Sequence, residues 1–274
     1  MATATAMTES PAFARRIEDA SFARRIEEAS LNAWPALHQM LLDGWVLRFA
    51  RGFTKRANSV VPLYPSTRDP IDPSAAAALL MKKVRFCENL YARENLAPIF
   101  RLTSIGEQSA LDGVLAERGY GLVDPTLVMA CTLDSKRDAS SAFRELPQAD
   151  WLDAYGEITG TPQSARALHG LVLNGIRTPL AFGVLTNGLE QRVACGIAVL
   201  EAELVGLFDV ATHATERRKG FGRALVESLL AWGAARGARD GYLQVLEANA
   251  AARALYRQLG FMPAYRYWYR VAAR

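Results

Sequence analysis

The run Arg217-Arg218-Lys219-Gly220-Phe221-Gly222-Arg223 brings cations and two glycines together at the point where an apolar strand gives way to a helix. That composition suits a pyrophosphate. The first turn of a helix presents unpaired N–H groups and the positive end of the helix dipole, and Gly220 and Gly222 remove the side chains that would keep an anion off the backbone. Nearby, Asp209 supplies a carboxylate and Tyr256 a phenol, two groups that can accept and hold protons at neutral pH.

The elements that must position these residues are legible on either side. Leu204-Val205-Gly206-Leu207-Phe208-Asp209-Val210-Ala211 reads as a mostly buried strand. Downstream, Leu225, Leu229 and Trp232 recur at i, i+4 and i+7, which predicts a helix over about 221 to 236.

The run resembles the acyl-CoA loop of the GNAT superfamily of N-acetyltransferases, whose pattern is Gln/Arg-x-x-Gly-x-Gly/Ala, with Arg217, Gly220 and Gly222 at the defining positions. A second segment, from Leu243 through Asn249 and Tyr256 to Gly260-Phe261, is similar to the second signature of the same superfamily: strand, Asn, helix with Tyr, then Gly-Phe. The resemblance implies acetyl-CoA as cosubstrate and an amine as acceptor. It places the pantetheine arm on the backbone of Val210, Ala211 and Thr212, where the strand splays from its neighbour. Arg218, Lys219, Gly220, Phe221, Gly222 and Arg223 would hold the pyrophosphate, with Arg217 and Asn249 beside it, and Tyr256 would protonate the departing thiolate.

The base is less defined. Gly206 stands where several members carry a glutamate, so Asp209 is the candidate, or Glu201 or Glu203 acting through water. Alternatives stay open at several positions. Asn249 suits the N-cap of an alanine-rich helix, Tyr256 lies between Leu255 and Leu259 as a core residue would, and Asp209 could pair with a cation. No cysteine lies near either signature, which favours direct attack in a ternary complex. Two other function classes are an acyl-CoA sensor without catalysis and a dinucleotide-binding enzyme. The latter fits poorly, because Leu225 occupies the third glycine position of that fingerprint.

Composition fits an ordinary soluble enzyme: 274 residues, 50% hydrophobic, 22% charged, with net charge +4. That charge is too small to argue for nucleic acid, and no apolar run suggests a membrane span or a secretion signal, so a cytoplasmic monomer or homodimer is expected. Cys87, Cys131 and Cys195 read as reduced, buried thiols. His38, His169 and His213 are scattered, and no metal site is indicated.

The expected fold class is α/β with a mixed α+β sheet, the GNAT fold in two tandem copies. Residues 1–32 carry a nine-residue duplication, Phe13 to Ser21 and Phe22 to Ser30, in a charged tail or helix. Nine residues turn a helix by about 900°, so one helix face cannot bury both copies; disorder is expected over residues 1 to about 12. Residues 33–135 would form a degenerate copy without the glycine loop, since Ile71-Asp72-Pro73-Ser74-Ala75 stands in its place. Arg48, Arg56 and Asn58 in that copy are candidates to line an acceptor pocket. Residues 140–274 would form the catalytic copy, after a polar join at Leu133 to Ser141.

Overall fold

The computed structural model describes residues 11–66, 72–106, 108–134 and 138–272. Its helices in chain order are α1 (Pro11–Ile17), α2 (Ala20–Asn32), α3 (Pro73–Arg93), α4 (Ser109–Glu117), α5 (Gln148–Thr159), α6 (Gln163–Leu173), α7 (Phe221–Ala234) and α8 (Ala250–Gln258). The strands are β1 (His38–Leu42), β2 (Trp45–Phe49), β3 (Val60–Pro62), β4 (Ile99–Thr103), β5 (Tyr120–Thr132) and β6 (Phe143–Glu145). After them come β7 (Leu180–Thr186), β8 (Arg192–Glu201), β9 (Leu204–Thr212), β10 (Asp240–Leu246) and β11 (Met262–Ala272).

Two compact units result, and neither is a single stretch of chain. The unit that carries the glycine loop comprises the chain up to Ala33, Leu127–Gly170 and Ile176–Ala264; the companion unit comprises Trp34–Thr126, Leu171–Gly175 and the chain from Tyr265. These units do not coincide with the linear segments expected from the sequence. Strand β5 begins in the companion unit and ends in the loop unit, and β11 does the reverse.

In the loop unit, β6, β7, β8 and β9 pair antiparallel in that order, and β9 pairs parallel with β10, whose other neighbour is β5. Helices α7 and α8 share one apolar cluster, in which Leu225, Leu229, Tyr256 and Leu259 pack with Val205 and Leu207 of β9. Trp151 of α5 is fully buried, and its Nε1 donates to the Gly183 carbonyl at 3.2 Å, which anchors that helix to β7.

In the companion unit the order is β1, β2, β3, β4, β11, β5. The β1–β2 hairpin was not expected from the sequence, although Asp43-Gly44 is a strong turn signal. Both residues have positive φ, 42° and 82°, and a Cβ on Gly44 would lie 2.4 Å from the Tyr64 carbonyl oxygen. Trp45, Val60, Tyr91, Phe100 and Leu115 form that unit's core.

The duplicated segment is a folded part of the loop unit, helical in both copies. One helix face indeed cannot bury both copies, and the chain solves this by breaking. The two copies differ only at Asp19 and Glu28. Asp19 N-caps α2, accepting from Ser21 N at 2.8 Å and Ser21 Oγ at 2.7 Å, whereas Glu28 lies within the helix. The break lets Phe13 and Ile17 of α1 and Phe22 and Ile26 of α2 all be buried, with the two phenyl rings edge to face at 6.4 Å. The disorder expected over residues 1 to about 12 lies outside the described residues, except that α1 begins at Pro11.

Candidate active site

Strand β9 carries a bulge where the site begins. Against β8, Phe208 pairs with Ile197 and Ala211 with Cys195, so Asp209 and Val210 together face Gly196. Asp209 has φ 49°, a left-handed conformation that costs an L-residue energy and marks a site held by its surroundings. The bulge re-aims side chains. Val205, Leu207 and then Val210 face the α7 and α8 cluster, a jump of three where a regular strand would step by two. Without the extra residue Asp209 would point into that apolar cluster; with it the carboxylate turns to the opposite face.

There it meets a residue that no motif or spacing singled out. His169 of α6, 2% exposed, places Nε2 2.9 Å from Asp209 Oδ2, though off the line of an ideal hydrogen bond. Trp151 and Tyr155 of α5 set their rings edge-on to the imidazole at 5.8 and 5.2 Å. Burial pushes the Tyr155 phenol and the Cys195 thiol each up to about 12, and the Asp209 charge adds to both shifts, so both groups are neutral at pH 7. Forty residues separate His169 from Asp209, and no spacing rule connects them.

Just before the bulge β9 loses its parallel partner. Its register with β10 runs from Leu204↔Asp240 to Leu207↔Leu243, while β9 continues to Thr212 and β10 to Leu246. The divergence leaves one edge of Val210, Ala211 and Thr212 open to an extended ligand. In the companion unit a parallel pair, β3 and β4, meets at Val60↔Phe100 and is then bridged by a side chain. Gln108 Nε2 donates to the Pro62 carbonyl at 2.9 Å, and its Oε1 accepts from Thr103 N at 2.8 Å. Asp72 caps α3, accepting from Ala75 N at 2.9 Å.

The glycine run lies beside the open edge. Gly220 is the N-cap of α7 with φ 92°, no side chain caps that helix, and Arg218 is also left-handed at φ 66°. The first-turn N–H groups of Phe221, Gly222 and Arg223 therefore have no helical acceptor. A Cβ on Gly222 would come within 3.3 Å of Thr212 Oγ1 and 3.7 Å of Leu255, which shows how closely the turn, β9 and α8 converge. The cations are tethered around it. Arg217 Nε donates to the Thr212 carbonyl at 3.4 Å, Lys219 pairs with Glu216 at 3.0 Å, and Arg223 bonds Gln258 of α8 at 2.9 Å.

Asn249 caps α8, its Oδ1 accepting from Ala252 N at 3.1 Å, so the capping role is realised. Tyr256 is 8% exposed and packs edge to face with Phe261 at 5.8 Å. Burial alone pushes its phenol up to about 12, so it stays protonated throughout the neutral range.

The other candidates have partners of their own. A Cβ at Gly206 would lie 2.5 Å from the Tyr242 hydroxyl, so that ring fills the space a glutamate would need. Glu201 and Glu203 flank the β8–β9 turn, where they bond Asn32 and Arg239 at 3.0 Å each. Asp209 is five residues beyond Leu204, roughly 15 Å along a strand. In the companion unit, Arg48 and Asn58 are 1% and 3% exposed. Arg48 donates to the carbonyls of Arg56 and Trp34, and burial lowers its guanidinium to about 10. Asn58 is used entirely by the turn at 50–54. The three cysteines are buried and free, as expected. Among the described residues there is no group of side chains suited to a metal and no helix long and apolar enough to cross a membrane.

A bulged strand splayed from its parallel neighbour, an uncapped glycine turn at a helix N-terminus and a tyrosine helix beside it define a GNAT-superfamily N-acetyltransferase. The chain belongs to the family described as "Probable histone acetyltransferase Rv0428c C-terminal", which matches residues 20–270. It is 26% identical over 246 residues to the "Uncharacterized N-acetyltransferase YobR" of Bacillus subtilis, covering 87% of this chain and 94% of that one. It is 28% identical over 230 residues to the "Probable histone acetyltransferase Rv0428c" of Mycobacterium tuberculosis, covering 84% and 67%. A solved GCN5-related N-acetyltransferase from Kribbella flavida superposes with a TM-score of 0.64 over 92% of this chain and 96% of that one; at 17% identity this shows a shared fold.

Proposed function

We propose that the enzyme transfers an acetyl group from acetyl-CoA to a primary amine of a small molecule or peptide, by direct attack within a ternary complex. The observation that carries this reading is the open edge of β9 ending at an uncapped helix N-terminus. The pantetheine arm pairs as a strand with Val210, Ala211 and Thr212, and the pyrophosphate takes the N–H groups of residues 218–223, with Arg217, Arg218, Lys219 and Arg223 around it. Asn249 caps α8 beside the cosubstrate.

The amine nitrogen then bonds to the thioester carbonyl carbon, and the carbon–sulfur bond breaks. An alkylammonium with a pKa of about 10.4 must first lose a proton. Asp209 is the base that accepts it; as the tetrahedral adduct collapses, the second nitrogen proton passes to the departing sulfur, so that CoA leaves as the thiol, with Tyr256 as the acidic group beside that sulfur. A phenol at about 12 holds its proton more firmly than a thiol of about 8.5. Tyr256 therefore works by donating a hydrogen bond to the thiolate as charge develops.

The companion unit is a degenerate copy of the fold, and its splay is closed by Gln108. The protein works as a cytoplasmic monomer or homodimer with one cosubstrate site. The mycobacterial relative is named a probable histone acetyltransferase, which makes a histone-like protein one acceptor class to include. Calorimetry with acetyl-CoA, followed by an amine and peptide panel scored by CoA release, tests the reading. One CoA-competitive site and turnover with an amine are expected. Binding of NAD without CoA would overturn it, and CoA binding with no turnover on any amine would favour a sensor.

A further inference from the structure

Asp209 sits on a strained bulge, and His169 lies behind it from a helix on the same face of the sheet. Asp209 Oδ2 is buried, and the side chain as a whole is 17% exposed. A buried carboxylate oxygen requires a donor. The titratable groups around it are the Tyr155 phenol from α5, the Cys195 thiol from β8 and the His169 imidazole from α6. The phenol and thiol are neutral, and the Asp209 charge raises both. The imidazole is the group within 2.9 Å that can present an N–H to the carboxylate.

We infer that His169 is a positioning residue for the base: its Nε2–H donates to Asp209 Oδ2 and fixes the carboxylate's rotamer on the bulge, so that the other oxygen receives the acceptor's proton. The contact is imperfectly aligned here, as pairs of this kind often are before a substrate complex forms. Trp151 and Tyr155 fix the ring from α5, so the imidazole is held in place by packing on two sides. Strain at Asp209 and burial at His169 both impose costs, and a common function at the bulge accounts for the two together.

This inference rests on the assignment of Asp209 as the base, and its test needs no acceptor. Carboxyl carbon NMR of the full chain follows the titration of Asp209 in the wild type, His169→Gln and His169→Leu. Glutamine keeps a donor at the reach of Nε2, and leucine removes it. The leucine variant is expected to raise the Asp209 midpoint by a pH unit or more, and the glutamine variant to restore most of that shift. Unchanged midpoints in both variants would overturn the inference, as would equal shifts in both. If His169→Leu fails to fold by thermal melting, the ring nitrogens of His169 are titrated instead in the wild type and Asp209→Asn. The imidazole should then titrate at least one unit lower without the carboxylate, and identical titrations would overturn the pairing. Acetyl-CoA calorimetry on the wild type separates the two levels: failure to bind overturns the proposed reaction, whereas the titrations decide the pair itself.

Discussion

At the scale of single residues, the site depends on groups whose surroundings have been altered to suit them. Tyr256 combines an apolar setting with a phenol that stays protonated, and no other described residue bonds its hydroxyl. Removing that hydroxyl leaves no orphaned partner, so Tyr256→Phe should change stability by less than about 0.5 kcal/mol. Acetyl-CoA affinity should be unchanged and kcat should fall about 100-fold. Steady-state kinetics beside calorimetry checks this, and an unaltered kcat would remove Tyr256 from the reaction. Gly206 shows the converse, a position where the superfamily's glutamate has no room because Tyr242 occupies it. Introducing Gly206→Glu should cost about 2–3 kcal/mol in urea unfolding. Combining it with Tyr242→Ala should recover part of the loss, because the two side chains compete for one volume.

At the scale of elements, the decisive features are where β9 bulges, where it leaves β10 and where α7 starts. The α7 start was legible in the sequence, because glycines beside cations before an amphipathic run have a direct physical meaning. The strand before it and the helix after it were legible for the same kind of reason: an apolar run marks β9, and the spacing of Leu225, Leu229 and Trp232 marks α7. The bulge was not. Nothing in Phe208-Asp209-Val210 tells a regular strand from one with an inserted residue; the parity of Val205, Leu207 and Val210 shows it only once the packed face is known. His169 was illegible for a related reason, since a long-range pair depends on how α6 lies over the sheet. The capping difference between Asp19 and Glu28 was present in the sequence, but its consequence for burial needed the helix break to be seen. A bulky residue at Gly222 tests the element directly. Gly222→Leu pushes a side chain toward Thr212, already 3.3 Å from where its Cβ would be, and covers the first-turn N–H groups. Acetyl-CoA affinity should drop about 100-fold, or about 2.7 kcal/mol, with the melting temperature little changed. Lys219→Ala, which removes an exposed cation paired with Glu216, should weaken binding much less and mainly at low salt.

At the scale of the whole chain, the C-terminal strand matters most, because β11 begins in the loop unit and completes the companion unit. Its neighbours are β4 and β5, and Tyr267 to Val271 pair with β4 from Thr103 to Ile99. A fragment of residues 140–274 keeps both signatures yet leaves β11 without either neighbouring strand. It should neither melt cooperatively nor bind acetyl-CoA, whereas the full chain does both; a folded, binding fragment would show that the signatures suffice. The side-chain clamp on this strand gives a pH-dependent version of the same test. Asp112 of α4 accepts from Arg270 Nη2 at 2.7 Å and from Trp268 Nε1 at 2.7 Å. The bonds from Arg270, ahead of that from Trp268, hold its carboxyl below the usual range despite partial burial. A folded-state pKa below the unfolded value, about 3.9, means that the carboxylate stabilises the fold above that pH. The contribution is lost as pH falls through the lower, folded-state value. Asp112→Asn should therefore cost about 1–3 kcal/mol at pH 7 and progressively less as the pH falls below about 4. Urea unfolding of both proteins across that range would show the two stability curves converging in acid, and a gap independent of pH would mean that the charge on Asp112 does not hold the final strand.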